Sequence, residues 1–210
     1  MKNTILLFFV FSISIFSQGS YLLRENSLSI GTNYCKNPDG YKLGFNGIYT
    51  FNGIIDISFA RSVILFEDDD DNFQNEYFIR TYFLKGNIVF ISGGVGYITR
   101  YVKAELWQNF PLEMKSNDFA FEIGAHLSSK IKDDHNFVVS FIFRQFNPTE
   151  FYKTPTASWK ETILTRSIIF DLGIILNFDP IAFEFGPRVN VDIDRIDTFY
   201  GLNCNVLLKH

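Results

Sequence analysis

The residue pair in this chain that most directly suggests chemistry is His126 and Ser128, two residues apart. Residues i and i+2 of a β-strand point to the same face, and a histidine beside a serine can act as the base that activates the hydroxyl as a nucleophile. The same spacing also arises when a strand turns polar side chains to an interior face. The sequence has no Gly-rich phosphate loop, zinc motif or catalytic-triad spacing, so we expect interior polar side chains, no enzymatic activity and no cofactor.

Charged residues recur on the polar face of four alternating segments. Counted from the nearest tight turn, they lie at similar heights, and their signs alternate from one segment to the next. Adjacent strands are about 4.8 Å apart, well within the reach of these side chains. We predict a salt-bridge ladder formed by Glu122, Arg144, Asp171 and Arg188, with Glu184 and His126 nearby.

Two further groups have binding chemistry. The acidic run 67–71 can attract a divalent cation, but it lacks the spaced Asp/Asn and Gly pattern of a calcium loop. We therefore interpret it as a solvated loop and predict no metal site. Aromatic residues in two long connections can stack on a sugar or a partner protein, or pack over the ends of the strands. They are Trp107, Phe110, Tyr152 and Trp159, together with Phe151.

The elements that must position these residues are β-strands. The clearest is a hairpin over 168–192, folded about Asp179-Pro180, in which Asp171 faces Arg188 on a polar face while Phe, Ile and Leu fill the other. Period-two alternation of this kind is typical of strands with two different faces. It predicts ten strands, over 27–33, 41–50, 54–63, 76–84, 88–101, 118–131, 137–146, 168–178, 181–192 and 198–208.

The connections alternate in length. Those after the second, fourth, sixth and eighth strands are tight, whereas the long ones include 102–117 and 147–165. At Asn52-Gly53 a two-residue turn would place polar residues on the apolar face. We therefore predict a three-residue loop, 51–53, with Gly53 in the left-handed region.

The N-terminus has the composition of a secretory signal peptide: Lys2, an apolar segment over 5–16 and the small residue Ser17. The alternative is a membrane anchor, but about a dozen apolar residues are short for a spanning helix, which needs about 20. We predict a signal peptide over 1–17 and one domain over 18–210. The formal net charge of −4 leaves no basic footprint for nucleic acid.

The contents of the two faces distinguish a membrane barrel from a secreted soluble barrel or sandwich. A ten-stranded lumen is only modestly wider than an eight-stranded one, which side chains just fill. The Gly-rich polar face fits that space, and the Phe-rich face does not. We predict an all-β fold, a ten-stranded antiparallel up-and-down transmembrane β-barrel.

A signal peptide followed by ten alternating strands, with short turns on one side and longer loops on the other, resembles the small outer-membrane β-barrel proteins of Gram-negative bacteria (the outer membrane protein beta-barrel domain). The resemblance covers the mature chain. It implies a place in the outer membrane, contact with outer-membrane lipid or lipopolysaccharide, and an extracellular or envelope protein partner. Lipid A deacylase barrels space a histidine and a serine as His126 and Ser128 are spaced, but there the pair faces lipid, whereas parity here turns it into the lumen.

From these observations we predict a non-enzymatic outer-membrane barrel whose lumen is plugged by charges and whose extracellular loops bind a partner. Two alternatives remain open. One is a narrow diffusion pore for small solutes, and the other is a lipid A-modifying enzyme.

Overall fold

The structure, a computed structural model, describes residues 26–38, 40–66, 72–85, 88–106, 110–132, 135–194 and 197–209. The predicted signal peptide and the acidic run 67–71 lie outside the described residues. The described residues form twelve strands: β1 (Ser27–Asn37), β2 (Gly40–Phe51), β3 (Ile55–Phe66), β4 (Phe73–Lys85), β5 (Val89–Leu106), β6 (Phe110–Lys132), β7 (His135–Phe146), β8 (Thr149–Lys153), β9 (Ser158–Thr162), β10 (Thr165–Phe178), β11 (Ile181–Asp192) and β12 (Asp197–Lys209). No helix in this part of the chain is long and apolar enough to cross a membrane.

Ten of the twelve strands close into one antiparallel barrel. Strands β1 to β7 pair in chain order, β7 pairs with β10, and β12 returns to β1. The predicted all-β, ten-stranded barrel is confirmed. The short strands β8 and β9 stand outside the ring as a hairpin paired to the part of β6 that extends beyond the barrel.

The alternation along each strand sorts large apolar residues outward and polar residues into the lumen. On β11, Phe183 and Phe185 are exposed, whereas Glu184 between them is buried. The hairpin of β10 and β11 has the predicted register, with Asp171 opposite Arg188. Inside, apolar packing occurs where the tight turns lie, in a cluster of Val138, Ile175, Ala182 and Leu207.

The loop between β2 and β3 has the predicted length but begins one residue later than predicted. Asn52 and Gly53 both have positive φ, of 48° and 58°, and the Ile54 N–H donates to the Phe51 carbonyl at 2.8 Å. The loop is therefore 52–54, and Phe51 pairs with Ile55. This shift moves the register by two positions, so every side chain keeps its predicted face.

The prediction that 102–117 is a long connection was wrong. Strand β5 continues to Leu106 and β6 begins at Phe110, in one uninterrupted ladder. The strand signal is weak there because the apolar alternation stops where charged residues begin. Opposite charges pair across the two strands instead, as Lys103 does with Glu113.

The connection 147–165 also contains regular structure that was not predicted. It holds β8 and β9, and five residues each are too few for a pattern that distinguishes a strand from a loop by sequence alone. Four other barrel strands run at least three residues further than predicted at one end: β1 ends at Asn37, β3 ends at Phe66, β4 begins at Phe73 and β10 begins at Thr165.

The barrel therefore has two different ends. We call the end with the tight connections 52–54, 86–88, 133–134 and 179–180 the turn end. The end with the remaining connections, including the hairpin of β8 and β9, is the loop end.

Candidate functional site: an ion cluster in the lumen

The centre of the lumen contains an ion cluster built from β4, β6 and β7. The Arg80 guanidinium contacts the Glu122 carboxylate, with Nη2 and Oε1 2.6 Å apart. The Arg144 guanidinium lies between two carboxylates, 2.8 Å from Glu76 and 3.1 Å from Glu122. It also lies over the Phe78 ring, 4.3 Å from its centroid. All four ionised side chains are almost fully buried, so each depends on its partners.

Two residues from neighbouring strands complete the cluster. Asp56 on β3 lies 3.8 Å from Arg80 and accepts hydrogen bonds at 2.7 Å from the hydroxyls of Thr50 and Tyr82. Lys42 on β2 lies 4.0 Å from Glu76. The cluster thus has three cations and three anions, so their charges balance.

Glycine on β5 allows the cluster to form across that strand. Strand β5 lies between β4 and β6, so Arg80 must pass over it to reach Glu122. A Cβ atom at Gly94 would stand 3.0 Å from the Glu122 side chain. A Cβ atom at Gly96 would stand 2.5 Å from the Phe78 ring, the ring on which Arg144 lies.

A second, smaller ionic group lies on β10 and β11. Arg188 Nε is 3.5 Å from Asp171 Oδ1, and both side chains are buried. Glu184 on β11 accepts a hydrogen bond from the Asn205 amide of β12 at 2.9 Å. This group continues the polar wall around the lumen.

The structure therefore brings the five predicted lumen charges into two groups, where a single ladder was predicted. Glu122 and Arg144 meet, and so do Asp171 and Arg188. The register places Arg144 opposite Ser167, four residues along β10 from Asp171, and four residues of a strand span roughly 13 Å. Counting from the tight turns missed this offset, because neighbouring strands of a tilted barrel are staggered.

Sequence reasoning missed four members of the cluster, Lys42, Asp56, Glu76 and Arg80. Their inward parity was readable, since each has at least one outward apolar or aromatic neighbour on β2, β3 or β4. The sequence does not show which inward residues of β2 to β4 lie at the same height in the barrel as those of β6 and β7.

His126 and Ser128 both point into the lumen and are buried. The His126 ring has a hydroxyl at each nitrogen, with Ser92 Oγ 2.8 Å from Nε2 and Ser140 Oγ 2.9 Å from Nδ1. A Cβ atom at Gly124 would lie 2.6 Å from Ser92 Oγ, so glycine is needed beside this contact. His126, on β6, thus contacts a serine on each of the two neighbouring strands, β5 and β7.

The predicted aromatic binding residues are only partly described. Tyr152 and Trp159 stack face to face, with ring centroids 5.1 Å apart and an interplanar angle of 9°. The Tyr152 hydroxyl donates to the Glu150 carboxylate. Trp107 and the side chain of Phe110 lie outside the described part of the chain. Within the described residues, no group of three or more His, Cys, Asp or Glu side chains is arranged to hold a metal ion.

Known structures share the fold of this chain. No protein-family model matches the sequence, and no curated protein matches it. The translocator domain of the autotransporter NalP from Neisseria meningitidis aligns over 88% of this chain and 87% of its own, with a TM-score of 0.51 and 9% identity. At that identity the similarity concerns the fold alone, the closed antiparallel barrel of outer-membrane proteins.

Two other known structures align less well with this chain. LpxR from Salmonella typhimurium aligns over 88% of this chain and all of its own, with 9% identity and a TM-score of 0.41. The alcaligin outer-membrane receptor FauA from Bordetella pertussis aligns over 85% of this chain and 41% of its own, with 10% identity and a TM-score of 0.28.

Proposed function

We propose that the protein is an integral outer-membrane β-barrel without enzymatic activity, that its lumen is plugged by the ion cluster, and that its loop end binds a molecule outside the cell. The observation that carries the proposal is the inverted distribution of side chains. Phe119 and Phe121 are 67% and 63% exposed on the outer surface, whereas Arg80, Glu122 and Arg144 are buried inside. In water such a surface would be an aggregation hazard, but it fits the apolar band of a transmembrane barrel.

The plug follows from how the cluster occupies the lumen. Strands β2, β3, β4, β6 and β7 all contribute side chains to it, and the charges cancel. Buried ion pairs break only at a considerable free-energy cost, because the remaining partner is left charged and desolvated. The cluster therefore holds the two sides of the barrel together and leaves little room for a wide pore.

The environment of His126 supports a non-enzymatic role. Its ring has a serine hydroxyl at both nitrogens and is fully buried. A catalytic base must reach the proton that it abstracts from a nucleophile exposed to substrate. A lipid substrate would approach the outer surface, whereas this histidine faces the lumen.

Gel migration and conductance test the proposal together. The mature protein should fractionate with outer membranes, and unheated samples should migrate differently from boiled ones. In planar bilayers the wild-type protein should be silent, and Arg144→Ala should conduct. Recovery of the protein in the soluble periplasmic fraction would overturn the membrane assignment, whereas steady wild-type conductance would overturn the plug.

A second candidate function, a narrow diffusion pore, is favoured by one observation. On the adjoining strands β1, β2 and β12, buried side-chain atoms of Asn33, Asn46 and Asn203 have no hydrogen-bond partner among the described residues. Buried amides are normally satisfied by protein groups or water, so this wall suits a hydrated path beside the cluster. Liposome swelling with small neutral solutes tests it: uptake that Asn46→Leu abolishes would favour the pore over the plug.

A further inference from the structure

The outer surface of β4, β5 and β6 changes from apolar to polar at one register position. Tyr77, Tyr97 and Phe119 pair across the three strands as the last apolar row. The next outward row towards the loop end, which we call the polar row, is neutral and can form hydrogen bonds. It continues onto β8 and β9 and consists of Asn75, Thr99, Asn117, Thr149 and Thr162.

The row beyond the polar row combines aromatic rings with ammonium groups, and we call it the cationic row. It consists of Phe73, Tyr101, Lys115, Phe151 and Lys160. Lys115 Nζ lies 5.3 Å from the centroid of the Tyr101 ring, and Lys160 Nζ lies 4.7 Å from that of Phe151. Because five strands about 4.8 Å apart contribute, the row is roughly 19 Å long.

This part of the surface carries an excess of positive charge. In the following outward row, Lys103 and Lys153 stand on either side of Glu113, which is 4.0 Å from Lys115. The described side chains of the two rows thus include four lysines and one carboxylate, on a chain whose formal net charge is −4. The Lys115 side chain is 65% exposed, so its charge is available to a ligand.

An apolar groove lies directly on the other side of the polar row. It has a volume of about 580 Å³, and the last apolar row, Tyr77, Tyr97 and Phe119, forms one edge of it. A smaller pocket of about 260 Å³, lined by Thr99, Lys115 and Asn117, adjoins it in the polar and cationic rows. At Gly47, in the groove, an added Cβ atom would have no neighbour within 4 Å.

We propose that this wall of the barrel binds one phosphorylated glycolipid of the surrounding membrane. The groove takes an acyl chain, the polar row bonds the sugar hydroxyls, and Lys115 and Lys160 bind the phosphates. The three chemistries follow one another along the strands in the order in which such a lipid presents them. Lysine near a membrane surface attracts anionic headgroups, and rings beside it suit the membrane–water boundary. This inference rests on the proposed membrane location.

Native mass spectrometry of the detergent-solubilised protein tests the assignment. The probe is a bisphosphorylated, acylated diglucosamine lipid, compared with its dephosphorylated form and with phosphatidylglycerol. The wild-type protein should bind the phosphorylated glycolipid best, and the double variant Lys115→Gln/Lys160→Gln should lower that affinity by at least about tenfold. Equal binding of phosphatidylglycerol would overturn the assignment to a glycolipid.

Two further variants separate a specific site from general attraction. Lys36→Gln makes the same type of substitution, with the loss of one positive charge instead of two, at an exposed outward lysine on β1, five strands away around the barrel, and should leave the affinity unchanged. Gly47→Leu fills the groove without altering charge and should also weaken binding severalfold. If Lys36→Gln matches the double variant, or if Gly47→Leu binds as the wild type does, the proposal is wrong.

Heat-modifiable gel migration, measured on every variant, distinguishes a failure of the glycolipid proposal from a failure of the proposed function. A folded, membrane-extracted wild-type protein that binds all three lipids equally contradicts the lipid site alone. A wild-type protein recovered from the soluble fraction contradicts the membrane location and the lipid site with it.

Discussion

Gly94 on β5 lies directly opposite Glu122 on β6, and the Glu122 carboxylate occupies the space that a side chain at position 94 would need. The nearest atoms to an added Cβ are Glu122 Cγ and Oε1, both at 3.0 Å, and the Ile79 carbonyl oxygen at 3.1 Å. The missing side chain is what allows Arg80, one strand further on, to reach Glu122.

Replacing this glycine should therefore disturb the cluster. Gly94→Val should lower the free energy of unfolding by about 1–3 kcal/mol, the usual effect of overpacking, measured by denaturant titration in detergent micelles. Gly47→Val is the control, because that side chain would enter open space on the outer surface and should leave stability unchanged or slightly raised. Equal effects of the two variants would contradict the role given to Gly94.

Arg144 should matter much more than an exposed arginine with a comparable ion pair. Arg144→Ala leaves Glu76 and Glu122 short of a cation inside the lumen and should lower the free energy of unfolding by about 3–5 kcal/mol, less if water enters. Arg166, 2.7 Å from Asp194 at the loop end, is 43% exposed, and Arg166→Ala should change stability little. Thermal unfolding of Arg144→Ala and Arg166→Ala, each compared with the wild-type protein, measures the two losses of stability.

The same Arg144 variant distinguishes the plug from the pore. A plug predicts new conductance together with the lower stability. A water-filled path predicts a change in ion selectivity with stability retained, and this second pattern would count against the plug.

Contact of the outer surface with lipid can be tested by comparing arginine substitutions at two outward positions of β6. Ile123 stands in the middle of the outward apolar residues of β6, and Asn117 lies in the polar row of the same strand. If the apolar band touches hydrocarbon, Ile123→Arg should cost about 2–4 kcal/mol of folding free energy in a bilayer, and Asn117→Arg about 0–1 kcal/mol. Matching values for the two substitutions would mean that position 123 does not face lipid.

The lengths of the connections predict that the loop end faces the outside of the cell. In a background lacking Cys35 and Cys204, Thr156→Cys between β8 and β9 should react with a membrane-impermeant maleimide on intact cells. Asp179→Cys at the turn end should react only after the outer membrane has been permeabilised, because short turns of such barrels face the periplasm. The reverse pattern of labelling would invert the topology.

Much of the fold follows from the sequence because it depends on local alternation. The parity of Phe183, Glu184 and Phe185 assigns their faces, and the pairing of Asp171 with Arg188 follows from one tight turn. Similar parity at Asn52-Gly53 ruled out the commoner two-residue turn, although the loop begins one residue later. The sequence did not reveal β8 and β9, or the extension of β5 and β6, because outside the apolar band no alternation of hydrophobicity marks a strand.

The ion cluster was decided by the tertiary structure. The sequence by itself determined that Glu122 and Arg144 face inward on neighbouring strands. It could not determine that Arg144 turns to Glu76, three strands away, and not towards Asp171, because that choice depends on the stagger around the closed barrel. Nor could it show that Gly94 clears the way for Arg80. Alternation assigns a face to each side chain, but the distance between side chains on different strands exists only once the barrel has closed.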